Sequence, residues 1–326
     1  MRKLCARAQM WPMRGTFRIS RGARTETPTV IAEIEEAGAI GKAECVPYPR
    51  YGESSDSVLA EIESVRPAVE DGMSIAALQD ALPAGAARNA LDCALWDLAA
   101  KQRGKRAWEL AGIEPPPPVV SAMTLSLDTP QNMAEAARAS AHLPLLKLKV
   151  TGDGDLERVT AVRGGAPDSR LIVDANEGWR PEMLDSLLPA LAGLGVELVE
   201  QPLPADSDDI LLGRRFAIPL CADEACHTRA DLDRLQGRYP MINVKLDKSG
   251  GLSEALALVR EARARGFQIM VGCMVGSSLA MAPALLLTPF AEYVDLDGPL
   301  LLARDCQPGL NYDGVTVHPP QAELWG

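Results

Sequence analysis

Five ionisable residues (Lys149, Asp174, Glu200, Asp223 and Lys245) sit at the ends of short apolar runs, at intervals of 25, 26, 23 and 22 residues. The runs are LLKLKV, RLIVDAN, VELVEQP, AIPLCADE and MINVKL. An interval of that length holds a strand, a helix and two loops, so the stretch reads as a repeated βα unit. Parallel strands that close into a barrel bring their C-terminal ends to one face, where barrel enzymes keep their chemistry. The spacing therefore predicts three carboxylates flanked by two lysines on one mouth.

The rest of the chain organises around that repeat. Residues 1–115 begin with strand-like stretches (TFRIS, TPTVIAEIEE, IGKAECV) and continue with helical ones, which predicts a small α+β domain. In AARNALDCALWDLAAKQRG, the positions Ala87, Ala90, Leu91, Ala94, Leu95 and Leu98 fall on one helix face. Four consecutive prolines, Pro115 to Pro118, mark a linker. An α/β barrel is expected over residues 118–299, with VVSAMTL as its first strand, FQIMVGCM as its seventh and EYVDLDGP as its eighth. Residues 300–326 are too few for another βα unit and are expected to return to the first domain as a strand or two.

Composition narrows the function. A formal net charge of −11 with no basic stripe argues against a nucleic-acid partner. No run approaches the ~18 apolar residues of a spanning helix, so no membrane partner is expected either. The start has basic residues but no apolar stretch behind them, so a secretory signal is not expected. The seven cysteines are scattered and mostly inside apolar runs, which fits buried thiols in a reducing compartment, and a cytoplasmic protein handling a small molecule.

Asp174, Glu200 and Asp223 offer three hard oxygen donors on adjacent strands, a set that suits octahedral Mg²⁺ better than zinc. A single acid of this kind would more often cap a helix or pair with a surface lysine; three in register, with a lysine on each side, read as a metal site. Lys147 and Lys149 are two apart on a strand and share a face, so their repulsion should depress one pKa. That makes Lys149 a candidate base and Lys147 a partner for an enolate oxygen. Lys245 approaches from the far side of the barrel, so two opposed amines could invert a carbon acid: one removes the α-proton while the other delivers one.

The segments KLK (147–149), DAN (174–176), EQP (200–202), ADE (222–224) and NVKLDKSGG (243–251) together resemble the enolase superfamily, muconate-lactonizing subgroup, essentially from end to end. Within it, AECVPYPRYGES (43–54), PAGAARNALDCALWDLAA (83–100), GCM (272–274) and DLDGP (295–299) resemble the L-Ala-D/L-Glu epimerases of murein peptide recycling. The resemblance implies a (β/α)7β modified TIM barrel under an α+β capping domain formed by the N-terminal segment and the C-terminal tail. It implies Mg²⁺ on Asp174, Glu200 and Asp223, and Lys149 and Lys245 as the opposed acid and base. It also implies a dipeptide substrate, its ammonium received by Asp295 and Asp297 and its Glu side-chain carboxylate by Arg24, with Arg21 a neighbouring competitor. Tyr48 and Tyr51 should line the lid, with Gly272, Cys273 and Met274 beside the substrate and Asn176, Glu224 and Asp247 supporting the catalytic residues. Gly276 leaves the specificity for the second residue open. Relatives of this architecture are often homo-oligomers, though no feature here fixes a number.

Three other readings compete. A cycloisomerase or an o-succinylbenzoate synthase would use the same metal and lysines, but their substrates carry no ammonium for Asp295 and Asp297. A Schiff-base lysine aldolase would resist EDTA and be trapped by borohydride. A silent binding module would tolerate loss of either lysine.

Overall fold

The computed structural model describes all 326 residues. The first 45 residues form a three-stranded antiparallel sheet of β1 (Lys3–Ile19), β2 (Gly22–Glu36) and β3 (Ala39–Cys45). It packs on α3 (Ala86–Arg103), which follows α1 (Ser55–Glu70) and α2 (Ile75–Ala81). Local chemistry sets these boundaries. The Ser54 side chain accepts from Ser57 N at the start of α1, and Gly104, at φ 60°, ends α3 in the left-handed conformation. Sheet and helix approach very closely at Gly41, where a Cβ would stand 2.1 Å from the Ala94 carbonyl oxygen.

A two-residue strand, β4 (Val119–Val120), precedes eight parallel strands: β5 (Met123–Leu125), β6 (Leu145–Lys149), β7 (Arg170–Asp174), β8 (Val196–Glu200), β9 (Leu220–Ala222), β10 (Met241–Val244), β11 (Gln268–Gly272) and β12 (Tyr293–Asp295). They neighbour one another in sequence order, and at the seam Ala122 N donates to Val294 O at 2.8 Å, so the barrel is nearly closed. The stretch VVSAMTL is thus two strands, broken where Ser121 N turns to Val315 O.

The tail departs from the expectation in part. Its strands, β13 (Tyr312–Asp313) and β14 (Thr316–Val317), pair with each other, and β14 pairs with β4 rather than with the capping sheet. The tail does touch the first domain elsewhere. Met13 bridges Leu302, and Trp325 Nε1 donates to Cys93 O at 3.1 Å. No helix is long and apolar enough to cross a membrane. All seven cysteines are unpaired; four are buried, whereas Cys5 is exposed because it lies on the outer face of β1.

Candidate active site

Successive side chains on a strand alternate between faces. Inside the barrel, Leu145, Ile172, Leu198, Cys221, Met241 and Met270 pack with Ala122 as an apolar floor. Two residues further along the same strands stand Lys147, Asp174, Glu200, Asp223, Asn243 and Gly272, so a polar layer lies directly above the floor. Leu146, Leu148, Leu171 and Val173 point outward into the main core. The alternation LLKLK is therefore one strand with an apolar outside and a charged inside.

Oxygens of Asp174, Glu200 and Asp223 all lie within 4.8 Å of one another, and all three residues are buried. Asp174 Oδ1 accepts from Asn176 N at 2.9 Å, and its Oδ2 lies 2.5 Å from Lys149 Nζ and 3.2 Å from Lys147 Nζ. Glu200 Oε1 accepts from Asn243 Nδ2 at 2.7 Å; its Oε2 accepts no hydrogen bond, although Lys147 Nζ stands 2.6 Å away. Asp223 Oδ1 accepts from Lys248 Nζ and its Oδ2 from Lys245 Nζ, both at 2.7 Å. Three converging hard oxygens without a histidine or thiolate fit a divalent cation of the Mg²⁺ or Mn²⁺ type.

At Lys147 the electrostatics favour the charged form. Burial pulls its pKa down, but Asp295, Glu200 and Asp174 outweigh burial, and it rises well above the ordinary lysine value. Burial likewise lowers and Asp223 and Glu200 raise Lys245, with the same net result. Burial pushes the carboxylates up, and at Asp174 and Asp223 the facing lysines reverse this and bring them below their usual range. Glu200, with burial and Asp174 against it, is raised.

Above the acids opens a cavity of about 470 Å³, lined from the barrel by Thr124, Lys149, Asn176, Asp223, Glu224, Lys245, Cys273, Met274, Asp295 and Asp297. The capping domain contributes Arg21, Arg24, Tyr48 and Tyr51. Gly272 lies below the cavity; a Cβ there would come within 2.5 Å of the Asn243 side chain. Asp247 faces elsewhere: its Oδ1 accepts from Val46 N at 2.9 Å and Asn89 Nδ2 at 2.8 Å, tying barrel to cap. Asp295 and Asp297 both reach the cavity, but they do not share a strand as the sequence suggested. Only Asp295 is in β12; Asp297 precedes the one-turn helix Gly298–Leu301, where Thr124 N donates to its Oδ2 at 2.7 Å. Asp295 Oδ2 takes Lys147 at 2.7 Å, and its buried Oδ1 has no partner.

Beside the cavity lies the two-residue turn between β1 and β2. Arg21 holds it down, donating to Asn176 O at 2.9 Å, Glu177 Oε2 at 3.2 Å, Glu224 Oε1 at 2.7 Å and the Tyr48 hydroxyl at 2.8 Å. Arg50 is held by Glu177 through two 2.9 Å bonds. Arg24 also lines the cavity, half-buried, and burial lowers its pKa. It makes no ion pair and no side-chain hydrogen bond. Sequence reasoning missed Asn243 and Lys248, although NVKLDKSGG placed them two residues before and three after Lys245, and it missed the Glu177 latch, whose partners are 127 and 156 residues away.

An eight-stranded barrel with a capping sheet over strand-end acids and flanking lysines is the architecture of the enolase superfamily. Residues 1–112 match the family described as mandelate racemase/muconate lactonizing enzyme, N-terminal domain, and residues 131–323 match the enolase C-terminal domain-like family; the chain belongs to this superfamily. It is 49% identical over 320 residues, 98% of this chain and 100% of the other, to the L-Ala-D/L-Glu epimerase of Escherichia coli K12. It is 47% identical to the N-acetyl-D-glutamate racemase of a Pseudoalteromonas species, over 91% of this chain and 95% of that one. Among solved structures, it is similar to an enolase family member from Agrobacterium tumefaciens with homology to dipeptide epimerases, holding sodium and L-Ala-L-Glu with an ordered loop. That likeness has a TM-score of 0.98 at 48% identity and covers 100% of both chains.

Proposed function

We propose that this protein epimerises L-Ala-D-Glu and L-Ala-L-Glu at the Glu α-carbon. It is an isomerase, as its named relatives are. The observation that carries the reading is the placement of Lys149 and Lys245, four strands apart in an eight-stranded barrel, facing one cavity from either side of three acids. Amines so placed can serve both faces of one carbon: the neutral one takes the α-proton, and the ammonium opposite gives one back.

Asp174, Glu200 and Asp223 would hold Mg²⁺, which supplies the positive charge that makes the carbon beside a bound carboxylate acidic. Lys147 lies among these acids, where its ammonium can steady negative charge growing on a carboxylate oxygen. Arg24, the cavity arginine without an anionic partner, is the receptor for the Glu side-chain carboxylate; Arg21 and Arg50 already have acids of their own. Asp295, with its unpartnered Oδ1, and Asp297 receive the dipeptide ammonium. Unpaired cysteines agree with work in the cytoplasm.

The test is ¹H NMR in D₂O of the Mg²⁺-loaded protein with L-Ala-L-Glu. Loss of the Glu α-proton signal with appearance of the diastereomer is the expected result. N-acetylglutamate has the same acylated Glu but no ammonium, so Asp295 and Asp297 predict much slower exchange for it. Exchange of N-acetylglutamate alone would transfer the reading to an N-acylamino acid racemase.

A further inference from the structure

Each of the three strand-end acids has one oxygen tied by a partner of its own. The tie is Asn176 N for Asp174, Asn243 Nδ2 for Glu200 and Lys248 Nζ for Asp223. The other oxygens, Asp174 Oδ2, Glu200 Oε2 and Asp223 Oδ2, are those the lysines of the charged layer approach. Lys248 is unlike those lysines. It sits on the one-turn helix Leu246–Ser249, is 1 % exposed, and does not line the cavity. Its ammonium has three donors, and all three are engaged: with Asp223 Oδ1 at 2.7 Å, Asp223 O at 2.5 Å and Asn243 O at 2.9 Å. It therefore has no hydrogen left for a substrate.

We propose that Lys248 is a positioning residue: by occupying Oδ1 of Asp223, it leaves that carboxylate one oxygen to give, and so keeps a coordination position on the bound cation open. The inference rests on the metal site of the proposed function but not on the dipeptide. A carboxylate left untied can turn and bind a cation through both oxygens. Three one-oxygen ligands leave about three positions of an octahedral ion for water or a substrate carboxylate; one two-oxygen ligand leaves about two. Lys248 also grips the carbonyl of Asn243, whose side chain ties Glu200, so the same ammonium braces two of the three ties. Gly272 leaves room for that Asn243 side chain.

The experiment uses Mn²⁺ as the probe and the water-proton relaxation rate per bound ion as the readout, on the full chain without substrate. The parent is expected to carry about three exchangeable waters per Mn²⁺, and Lys248→Met about two, lowering the relaxivity by about one-third. Lys248→Arg, which keeps charged donors, should stay at the parental value. With L-Ala-L-Glu, the methionine variant should raise KM more than it lowers kcat, because substrate chelation is what loses a position. A methionine variant that binds Mn²⁺ with unchanged relaxivity and unchanged KM overturns the assignment. A parent with only about two waters overturns it without any variant, so a misfolded variant leaves the question decided. Normal relaxivities with no turnover of any dipeptide would instead remove the substrate reading and leave Lys248 in its role.

Discussion

Lys149 and Lys245 contact different members of the acid cluster: Lys149 Nζ lies 2.5 Å from Asp174 Oδ2, and Lys245 Nζ lies 2.7 Å from Asp223 Oδ2. Their strands, β6 and β10, bracket the three that carry the acids. Neither amine can stand in for the other, because each reaches the cavity from its own side.

That separation predicts an asymmetric result from single substitutions. Lys149→Ala and Lys245→Ala should each lower epimerisation by about 10²- to 10⁴-fold, the usual size of a general acid–base contribution. Each variant should still exchange the α-proton of one epimer with D₂O, and the two variants should favour opposite epimers. NMR exchange rates for both diastereomers decide the matter. Normal turnover in both variants would end the two-base assignment.

Arg24 is a charge without a partner in a structure where nearby arginines are paired. Arg24→Met should raise KM for L-Ala-L-Glu by about 10- to 150-fold, the equivalent of ~1.5–3 kcal/mol for a hydrogen bond to a charged group. The penalty should shrink for L-Ala-L-Met, which has no side-chain carboxylate. Equal loss on both dipeptides would mean that Arg24 shapes the cavity without receiving the side-chain carboxylate. Arg21→Met, by contrast, removes contacts to Asn176, Glu177 and Glu224 and should weaken both substrates alike.

The barrel and its charged layer were legible in the sequence because both follow from a period of two within strands and one of about 24 between them. Lys149, Asp174 and Glu200 are the last residues of their strands, and Asp223 and Lys245 lie one residue beyond theirs. What escaped depends on chain reversal. Lys248 reads as the third residue of a loop, and only the one-turn helix folds its ammonium back under Asp223. The Arg50–Glu177 latch joins cap to barrel across 127 residues, and no local pattern records such a pair. Asp297 looked like a strand residue because the period of two runs through it, yet the Asp-Gly-Pro sequence starts a helix there.

Glu44 links the cap to the loop that lines the cavity. It accepts from Ser277 N and Ser277 Oγ at 2.8 Å and from Trp11 Nε1 at 3.1 Å. Burial pushes its carboxyl up to about 7 despite these donors, and Asp305 adds to the push. Between the ordinary value of 4.5 and about 7, the folded protein holds a proton that the unfolded chain has released. Its contribution to stability is therefore complete below 4.5 and is lost as the pH rises through about 7. Glu44→Gln removes this dependence, so the gap in melting temperature between parent and variant should narrow from pH 5 to pH 8. A gap that stays constant over that range would mean that Glu44 is ionised in the folded protein throughout.

Chelation separates the metal reading from imine chemistry on the same lysines. With Asp174, Glu200 and Asp223 buried and converging, their mutual repulsion is relieved by a divalent cation, so EDTA should abolish turnover and Mg²⁺ restore it. Because the folded state alone assembles the three ligands, Mg²⁺ at ~100 times its Kd should stabilise the protein by about 2.7 kcal/mol and raise the melting temperature by a few degrees. Asp223→Asn, which withdraws one ligand charge, should lose most of that gain. Borohydride with substrate should leave the enzyme active and its mass unchanged, since a dipeptide carries only amide and carboxylate carbonyls and offers no aldehyde or ketone for a lysine to condense with. Turnover that survives EDTA, together with a borohydride adduct on Lys149 or Lys245, would assign these lysines to a Schiff base instead.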